Sequence, residues 1–481
     1  MSLDFVLGII LILTFFGMVY YCIKGHNLMI GFFVMTVLWV SIALIGNAVT
    51  PNQNIIDKIG LVTDVGVWGQ IRGVLKNVFQ DGPQGYGSSI LVNIFFGAFF
   101  GRVLVETNIA STLIRKVVEL GGDRPRITLA LLCIVTALLF TSMTGIGPVI
   151  SIAVIIVPIL LTLGISAPVT LFAFMGSIMA GIFANMTNFA QYIGIYAGIF
   201  EDASSFGYKD YAWIGWSGLA VTLVVVLIIS NIALSFSKTT HAWAAKMPEN
   251  NKITYRGVEY IVEPDNRKST IENAPFYSWL SIILPVLLVV LFDLPIILSF
   301  IIASLYALIT CKKLNGGFKG VCRTMSRLFT DGGVDVAPML GFLLCLAMFN
   351  NAANFVAPYF QAVLGDLIPS SALSIAILFA VFTPLGFFRG PLNLVGCGAA
   401  MVSIFKAVVP GIPVEFLFPL FAITTVAPQH LDVTQSWVAW GFGYTKVSTK
   451  DYLKMSIPTG WIVGIVMVAI VYFVCLGQNI I

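Results

Sequence analysis

Three side chains in this sequence could carry charge where charge is costly. Arg389 stands in "AVFTPLGFFRGPLNLVGCGAAM" (380–401), flanked by long apolar runs, and His430 and Asp432 stand in the equally apolar "APQHLDVTQSWVAW" (427–440). A guanidinium cannot shed its proton, so membrane depth costs it roughly 2.5–3.5 kcal/mol on insertion scales. Two readings of Arg389 follow. It snorkels or pairs with a neighbouring carboxylate, or it offers fixed positive charge to a substrate carboxylate. The second reading suits the planar fork of a guanidinium, which meets a carboxylate at two points and gains strength in low dielectric. Amides at a hairpin tip or a helix N-terminus would favour an anion there, and Asn393, a turn further on, adds a donor.

Asp432 is either the permanent partner of Arg389 or a carboxylate that binds and releases a proton. Both hold in turn if protonation frees Arg389. His430 is the histidine expected at membrane depth, whereas His26 and His241 fall in loops. An imidazole two residues from a carboxylate, in non-helical backbone, suits proton exchange; the plain alternative is a core histidine bonded to backbone. Around them Gln429, Thr434 and Gln435 supply neutral donors and acceptors. An earlier stretch supplies Thr141, Ser142, Thr144, Asn185, Thr187, Asn188 and Gln191. These groups suit recognition of hydroxyls or carboxylates, or Na⁺ held by carbonyls, or they serve as glue between helices. Arg102 and Glu106, spaced i, i+4, are expected to pair with each other. Asp335, Asn350 and Asn351 have no assigned role, and Asp293, in "FDLP", is expected in solvent.

The elements that must position these groups are membrane helices. Of 481 residues, 58% are hydrophobic and 10% charged, where a soluble domain carries about 25% charged residues. Apolar runs of about 20 residues recur throughout, which makes the chain an all-α polytopic membrane protein. The formal charge of +4 gathers in loops and implies no nucleic-acid partner. "MSLDFVLGIILILTFFGMVYYCIKG" has no basic leader or cleavage site and reads as a retained first helix. Cys22, Cys133, Cys311, Cys322, Cys345, Cys397 and Cys475 are scattered singly, as apolar fillers are. There is no HExxH, GxSxG, phosphate loop or His/Cys cluster, so no enzyme, metal or cofactor is expected. A soluble nucleotide domain is also absent, which argues against an ATP-driven pump.

Clear spans lie near 3–23, 27–47, 89–107, 168–200, 213–236, 277–293, 295–311, 334–353, 411–445 and 456–476. Segments 126–165 and 370–409 are apolar but broken by Gly-Pro. The polar stretch 237–276 separates two halves, 1–236 and 277–481, and within it "ITYRGVEYIVEP" alternates like a small hairpin. The halves resemble each other. "IRGVLKNVFQDGP" (71–83) answers "FKGVCRTMSRLFTDGG" (318–333), both with the spacing of a helix lying in the membrane interface. Gly147-Pro148 answers Gly390-Pro391, and Asn188/Gln191 answers Asp432/Gln435, in the same order.

Loop charge indicates that the two copies are inverted. Segment 109–126 carries Arg115, Lys116, Arg124 and Arg126, while its counterpart 354–372 has no Lys or Arg. The acidic 201–210 faces Lys446, Lys450 and Lys454 in 446–454. Opposite bias in each pair is what the positive-inside rule requires of inverted copies. It puts loops 237–276 and 312–330 in the cytoplasm and both termini outside. Inverted repeats interrupted at matching places mark a secondary transporter. Unwound backbone survives at membrane depth only where it is buried or lines a cavity. The expected site is therefore two re-entrant hairpins, 126–165 and 370–409, with tips at 141–148 and 388–393. They meet two broken helices, 168–200 and 411–445, unwound at 184–191 and 428–435.

"FFGAFFGRVLVETNIASTLIRKVVELGGDRPR" (95–126) and "APQHLDVTQSWVAWGFGYTKVSTKDYLKM" (427–455) resemble segments of the gluconate permease family. The layout is similar to the wider ion transporter superfamily, which includes citrate and dicarboxylate carriers. The resemblance implies uptake of a small organic anion coupled to H⁺, or in some relatives Na⁺. It also implies a homodimer in the inner membrane with an elevator-like moving domain. The expected function is proton-coupled symport of a sugar acid, hydroxy acid, di- or tricarboxylate. The alternatives are a cation/proton antiporter with Asp432 as its ion ligand, or a Na⁺-coupled carboxylate symporter.

Overall fold

The long apolar runs fold as helices because a helix satisfies its own backbone inside hydrocarbon. The computed structural model describes residues 2–24, 26–49, 66–200, 203, 205–236, 252–255, 258–261, 273–365, 368–433 and 435–481. The first half begins with α1 (Leu3–Ile23), α2 (Leu28–Val49) and α3 (Val67–Glu106). The short amphipathic α4 (Ile109–Gly121) follows. Then come α5 (Pro125–Phe140), α6 (Ile146–Thr162), α7 (Ala167–Phe183), α8 (Met186–Ala197) and α9 (Tyr208–Phe236). Most of 237–276 lies outside the described residues, but strands β1 (Lys252–Tyr255) and β2 (Val258–Ile261) form the expected antiparallel hairpin.

The second half starts with a 3-10 turn at Phe276–Ile282, α10 (Leu284–Phe292) and α11 (Ile296–Thr310). It continues with α12 (Gly317–Leu364), α13 (Ala372–Val381), a 3-10 segment at Thr383–Arg389 and α14 (Gly398–Val408). It ends with α15 (Val414–Val426), α16 (Ser436–Thr445) and α17 (Thr449–Gly477). The order of elements in the first half therefore recurs: two helices, a long helix, a hairpin, an interrupted helix, and a closing helix of 29 residues in each half. The halves interlock, since α12 packs on α1, α2 and α3, and α9 packs on α17.

Two expectations need correction here. The interfacial helices expected at 71–83 and 318–333 are not separate, because each runs unbroken into the next span. In α3 the chain absorbs Gly82-Pro83 by widening into π turns at Asn77–Asp81 and Gly87–Leu91. The Gly82 amide reaches back to the Asn77 carbonyl, which also accepts from Asn351 Nδ2 at 3.0 Å. In α12, "DGG" (331–333) is a place of close approach rather than a stop. A Cβ on Gly332 would sit 2.9 Å from the Phe99 backbone of α3, and the Phe99 and Phe329 rings stack at 4.1 Å beside it.

The second correction concerns charge. Arg102 does not pair with Glu106. Its Nε and Nη2 donate to both oxygens of Asp335, at 2.5 and 2.6 Å, across α3 and α12. Glu106 accepts instead from Arg327 at 2.6 Å. An i, i+4 pair on a helix surface is worth only a few tenths of a kcal/mol, so better-placed partners on a neighbouring helix override it. Asp293 is exposed as expected, with Lys209 3.1 Å away.

Candidate functional site

Hairpin one is α5, a turn at 141–145, and α6. The turn needs Gly145 at φ +92°, a conformation open to glycine. Gly147-Pro148 falls in the first turn of α6 rather than at the tip. At Gly147 a Cβ would collide with Asp335 Oδ1 and Arg102 Nη2. The uncharged tip of this hairpin is thus seated on the ion pair that joins α3 to α12.

α7 and α8 meet at 62°. The break is shorter than the expected 184–191: Met186 already begins α8, and Thr187, Asn188 and Gln191 are helical. Asn185 makes the break. Its Oδ1 caps α8 by accepting from the amides of Thr187 and Asn188, at 2.9 and 3.1 Å. Its Nδ2 donates to the carbonyls of Phe140 and Met143 at the tip of hairpin one. That fully buried amide ties the tip to the broken helix. Ser142 donates to the Ile282 carbonyl at 2.5 Å, and Thr141 to that of Leu138 at 2.7 Å. Thr144 and Thr187 keep buried hydroxyl oxygens with no partner among the described residues.

Hairpin two carries the charge. α13 bends by 54° into Thr383–Arg389, and Phe388 and Arg389 both take left-handed backbone, φ 50° and 62°. Such residues cost on the order of 1–3 kcal/mol each and persist only where the surroundings fix them. The fixing is visible. Arg389 O accepts from the Cys397 amide at 3.2 Å. Asn393 donates to the Gly386 carbonyl at 3.1 Å and accepts from the Val395 amide at 3.0 Å. Thr424 and Thr425 of α15 bond the Leu392 carbonyl and the Leu394 amide. A Cβ on Gly396 would collide with the Arg389 carbonyl. Asn393 therefore braces the loop.

The Arg389 guanidinium faces the gap between α15 and α16, where the described backbone, 427–433 and 435, is non-helical. Its Nε lies 3.5 Å from Asp432 Oδ2, with the two side chains only 8% and 4% exposed. Nη1 donates to the Val395 carbonyl at 2.9 Å, and the group lies 5.0 Å from the centre of the Phe342 ring of α12. The sequence pairing of Arg389 with Asp432 is thus present, with Nε and Oδ2 at 3.5 Å, where Arg102 and Asp335 approach to 2.5 and 2.6 Å.

Tyr192, which sequence reasoning missed, joins the two halves beside this pair. Its hydroxyl accepts from Asn188 Nδ2 at 3.2 Å and from Gln429 Nε2 at 2.5 Å, within the field of Arg389. With both lone pairs engaged, the hydroxyl proton is left to be donated. The available signal was its spacing, one turn beyond Asn188. Gln191 faces the buried Tyr86 hydroxyl, a second missed residue, without a hydrogen bond closing between them. Lys406 of α14 donates to the Ile199 carbonyl just past α8, another tie between halves.

The His430 ring packs edge-on to Phe172 and forms neither a hydrogen bond nor an ion pair with Asp432. Its carbonyl accepts from the Tyr452 hydroxyl at 2.5 Å. Gln435 opens α16, its amide donating to Asp432 O at 3.0 Å. Thr434 lies outside the described residues. Asn350 is buried, its Oδ1 without a partner among the described residues. Among those residues no group of three His, Cys, Asp or Glu side chains could hold a metal ion.

These features define a multi-pass helical membrane protein. Among the described residues six helices are long and apolar enough to span a bilayer, up to eight if each bent pair is one span. No family model matches the chain, and no curated protein does. The similarity to gluconate permeases thus gains no match of its own. Among solved structures the chain is similar to the YdaH transporter of Alcanivorax borkumensis, whose structure is described as having an unusual topology. The TM-score is 0.58 at 12% identity, over 94% of this chain and 99% of that one. At that identity the likeness is one of fold.

Proposed function

We propose that the chain is a secondary active transporter that moves a small organic anion across a membrane by proton-coupled symport. The anion is a sugar acid, a hydroxy acid or a di- or tricarboxylate. One observation carries this reading: a buried arginine of hairpin two and a buried aspartate of the interrupted helix α15–α16 face each other. Removing one partner of such a pair leaves an uncompensated charge, at about 3–5 kcal/mol. An anion arriving alone, or a proton arriving alone, incurs that cost. Together they do not, because the substrate carboxylate replaces Asp432 beside Arg389 while Asp432 takes the proton. Coupling thus follows from charge balance in a low-dielectric site. Tyr192 adds a donor from the first half, and Gln429 and Asn188 hold its oxygen.

The proposal includes two inverted repeats, an elevator-like movement of the hairpins with the broken helices, and a homodimer. The recurring element order and the opposite loop charge support the first of these. The test starts with a thermal-shift screen of purified protein against organic acids, since a ligand that binds the native state raises apparent stability. Uptake of the labelled hit into proteoliposomes, driven by an inward proton gradient, is expected to vanish in Arg389→Ala at equal protein level. Uptake unchanged in that variant would remove the role given to Arg389. Na⁺-driven proton movement without any organic acid would replace the proposal by a cation/proton antiporter.

A further inference from the structure

A cavity of about 460 Å³ opens at the N-terminal end of α5, between α5, the α6–α7 turn and the end of α9. It lies apart from the candidate site residues described above. Arg124 and Arg126 line it, with Asp123 as the one opposing charge. Arg126 is held by a hydrogen bond from Nη2 to Ser235 Oγ, 3.1 Å, so its guanidinium is fixed at the mouth. α5 begins there with Pro125 in its first turn and no side-chain cap, which leaves first-turn amides to an anion. The other walls are apolar: Ile127, Leu163, Ile165 and Leu234.

What lies below the cavity decides the ligand. α5 and α9 pack side by side. Along α9, Val224, Ile228 and Ile232 are exposed at four-residue spacing, and on α5 so are Ile127 and Ile134. An exposed apolar track therefore runs from the mouth of a basic cavity down two neighbouring membrane helices. A soluble anion would use the arginines and leave the track idle. A phospholipid uses both, its phosphate on the arginines and one acyl chain on the track. Basic pockets between membrane helices are the usual form of such sites. We propose that this cavity is a structural site for an anionic phospholipid, with Arg124 and Arg126 as its headgroup ligands.

The test uses the purified full-length chain after delipidation in detergent. Phosphatidylglycerol, phosphatidylcholine and inorganic phosphate are added separately, and bound lipid is read by native mass spectrometry and stability by thermal shift. Phosphatidylglycerol is expected to be retained and to raise the melting temperature, and the other two are not. Arg124→Gln/Arg126→Gln should weaken its retention at least tenfold, and Arg126→Lys should keep most of it. Should the double variant fail to fold, Arg124→Gln alone serves, because that side chain is exposed. Equal retention of the two lipids, a stability gain reproduced by inorganic phosphate, or full retention by the arginine variants would each overturn the site.

Discussion

Asp432→Asn is the most instructive perturbation of this protein. The substitution keeps the size of the side chain and removes its charge, so Arg389 loses its counter-ion in a place where its side chain is 8% exposed. Breaking such a pair costs about 3–5 kcal/mol, and the empty protein should be less stable by that order. The same quantity reappears as binding energy. On the proposed exchange, an incoming carboxylate must first displace Asp432 from Arg389 in the wild type; in the variant it supplies the charge that is missing. Each 1.4 kcal/mol is a tenfold change in Kd, so the variant should bind the anion about two to three and a half decades more tightly. Its Kd should also lose most of its pH dependence, since no proton is needed to release the arginine. Calorimetry with the screened anion, at one pH on either side of neutrality, measures both effects. Accumulation driven by a proton gradient should disappear while exchange of labelled for unlabelled substrate persists. Binding no tighter than wild type, with the same dependence on pH, would refute the exchange of partners at Arg389. The double variant Arg389→Gln/Asp432→Asn serves as control, because a pair removed together leaves no charge behind and should recover much of the lost stability.

Three further outcomes are expected. For a monocarboxylate, one proton entering with one anion leaves the site charge unchanged, so uptake should ignore a potassium-valinomycin potential; a rate that follows the potential would contradict the proposed stoichiometry. Tyr192→Phe removes a donor but keeps the ring, and should weaken anion binding by about 0.5–1.5 kcal/mol, up to about tenfold in Kd, while also destabilising the empty protein by about 1–3 kcal/mol, because Gln429 loses its acceptor in a buried place. Arg102→Ala should destabilise by about 3–5 kcal/mol, because it strands Asp335, whereas Arg102→Ala/Asp335→Ala should cost much less; a thermal melt that ranks the double variant below the single one would show that the pair acts otherwise.

The hairpins and the interrupted helices were legible because their signals are local. Gly-Pro in an apolar run, and a charge where hydrocarbon is expected, each demand a special backbone or a partner. The pairing of Arg389 with Asp432 followed for the same reason, as few carboxylates occur at membrane depth. What was hidden is what depends on distant chain. Arg102 had Glu106 four residues away but takes Asp335, 233 residues away. Asp-Gly-Gly in α12 was read only as the counterpart of Asp-Gly in the first half, yet Gly332 is there to let Phe99 approach. Tyr86 carried no mark among so many aromatic residues, and Tyr192 only its place one turn beyond Asn188, since a hydroxyl in an apolar helix becomes informative only when its neighbours are known. Asn185 was read as a substrate ligand, but its amide spends its donors and its acceptor on the chain itself, a use that spacing does not reveal.

α12 has 48 residues. At 1.5 Å per residue its contour is about 72 Å, more than twice the roughly 30 Å of bilayer hydrocarbon. Its early turns carry Lys319, Arg323 and Arg327, and the last of these is tied to Glu106 at the end of α3. A helix tied in this way cannot sink or rise without dragging those charges through oil. It therefore acts as a depth gauge, fixing α3 and α12 against the membrane, and the movement proposed above would take place past them.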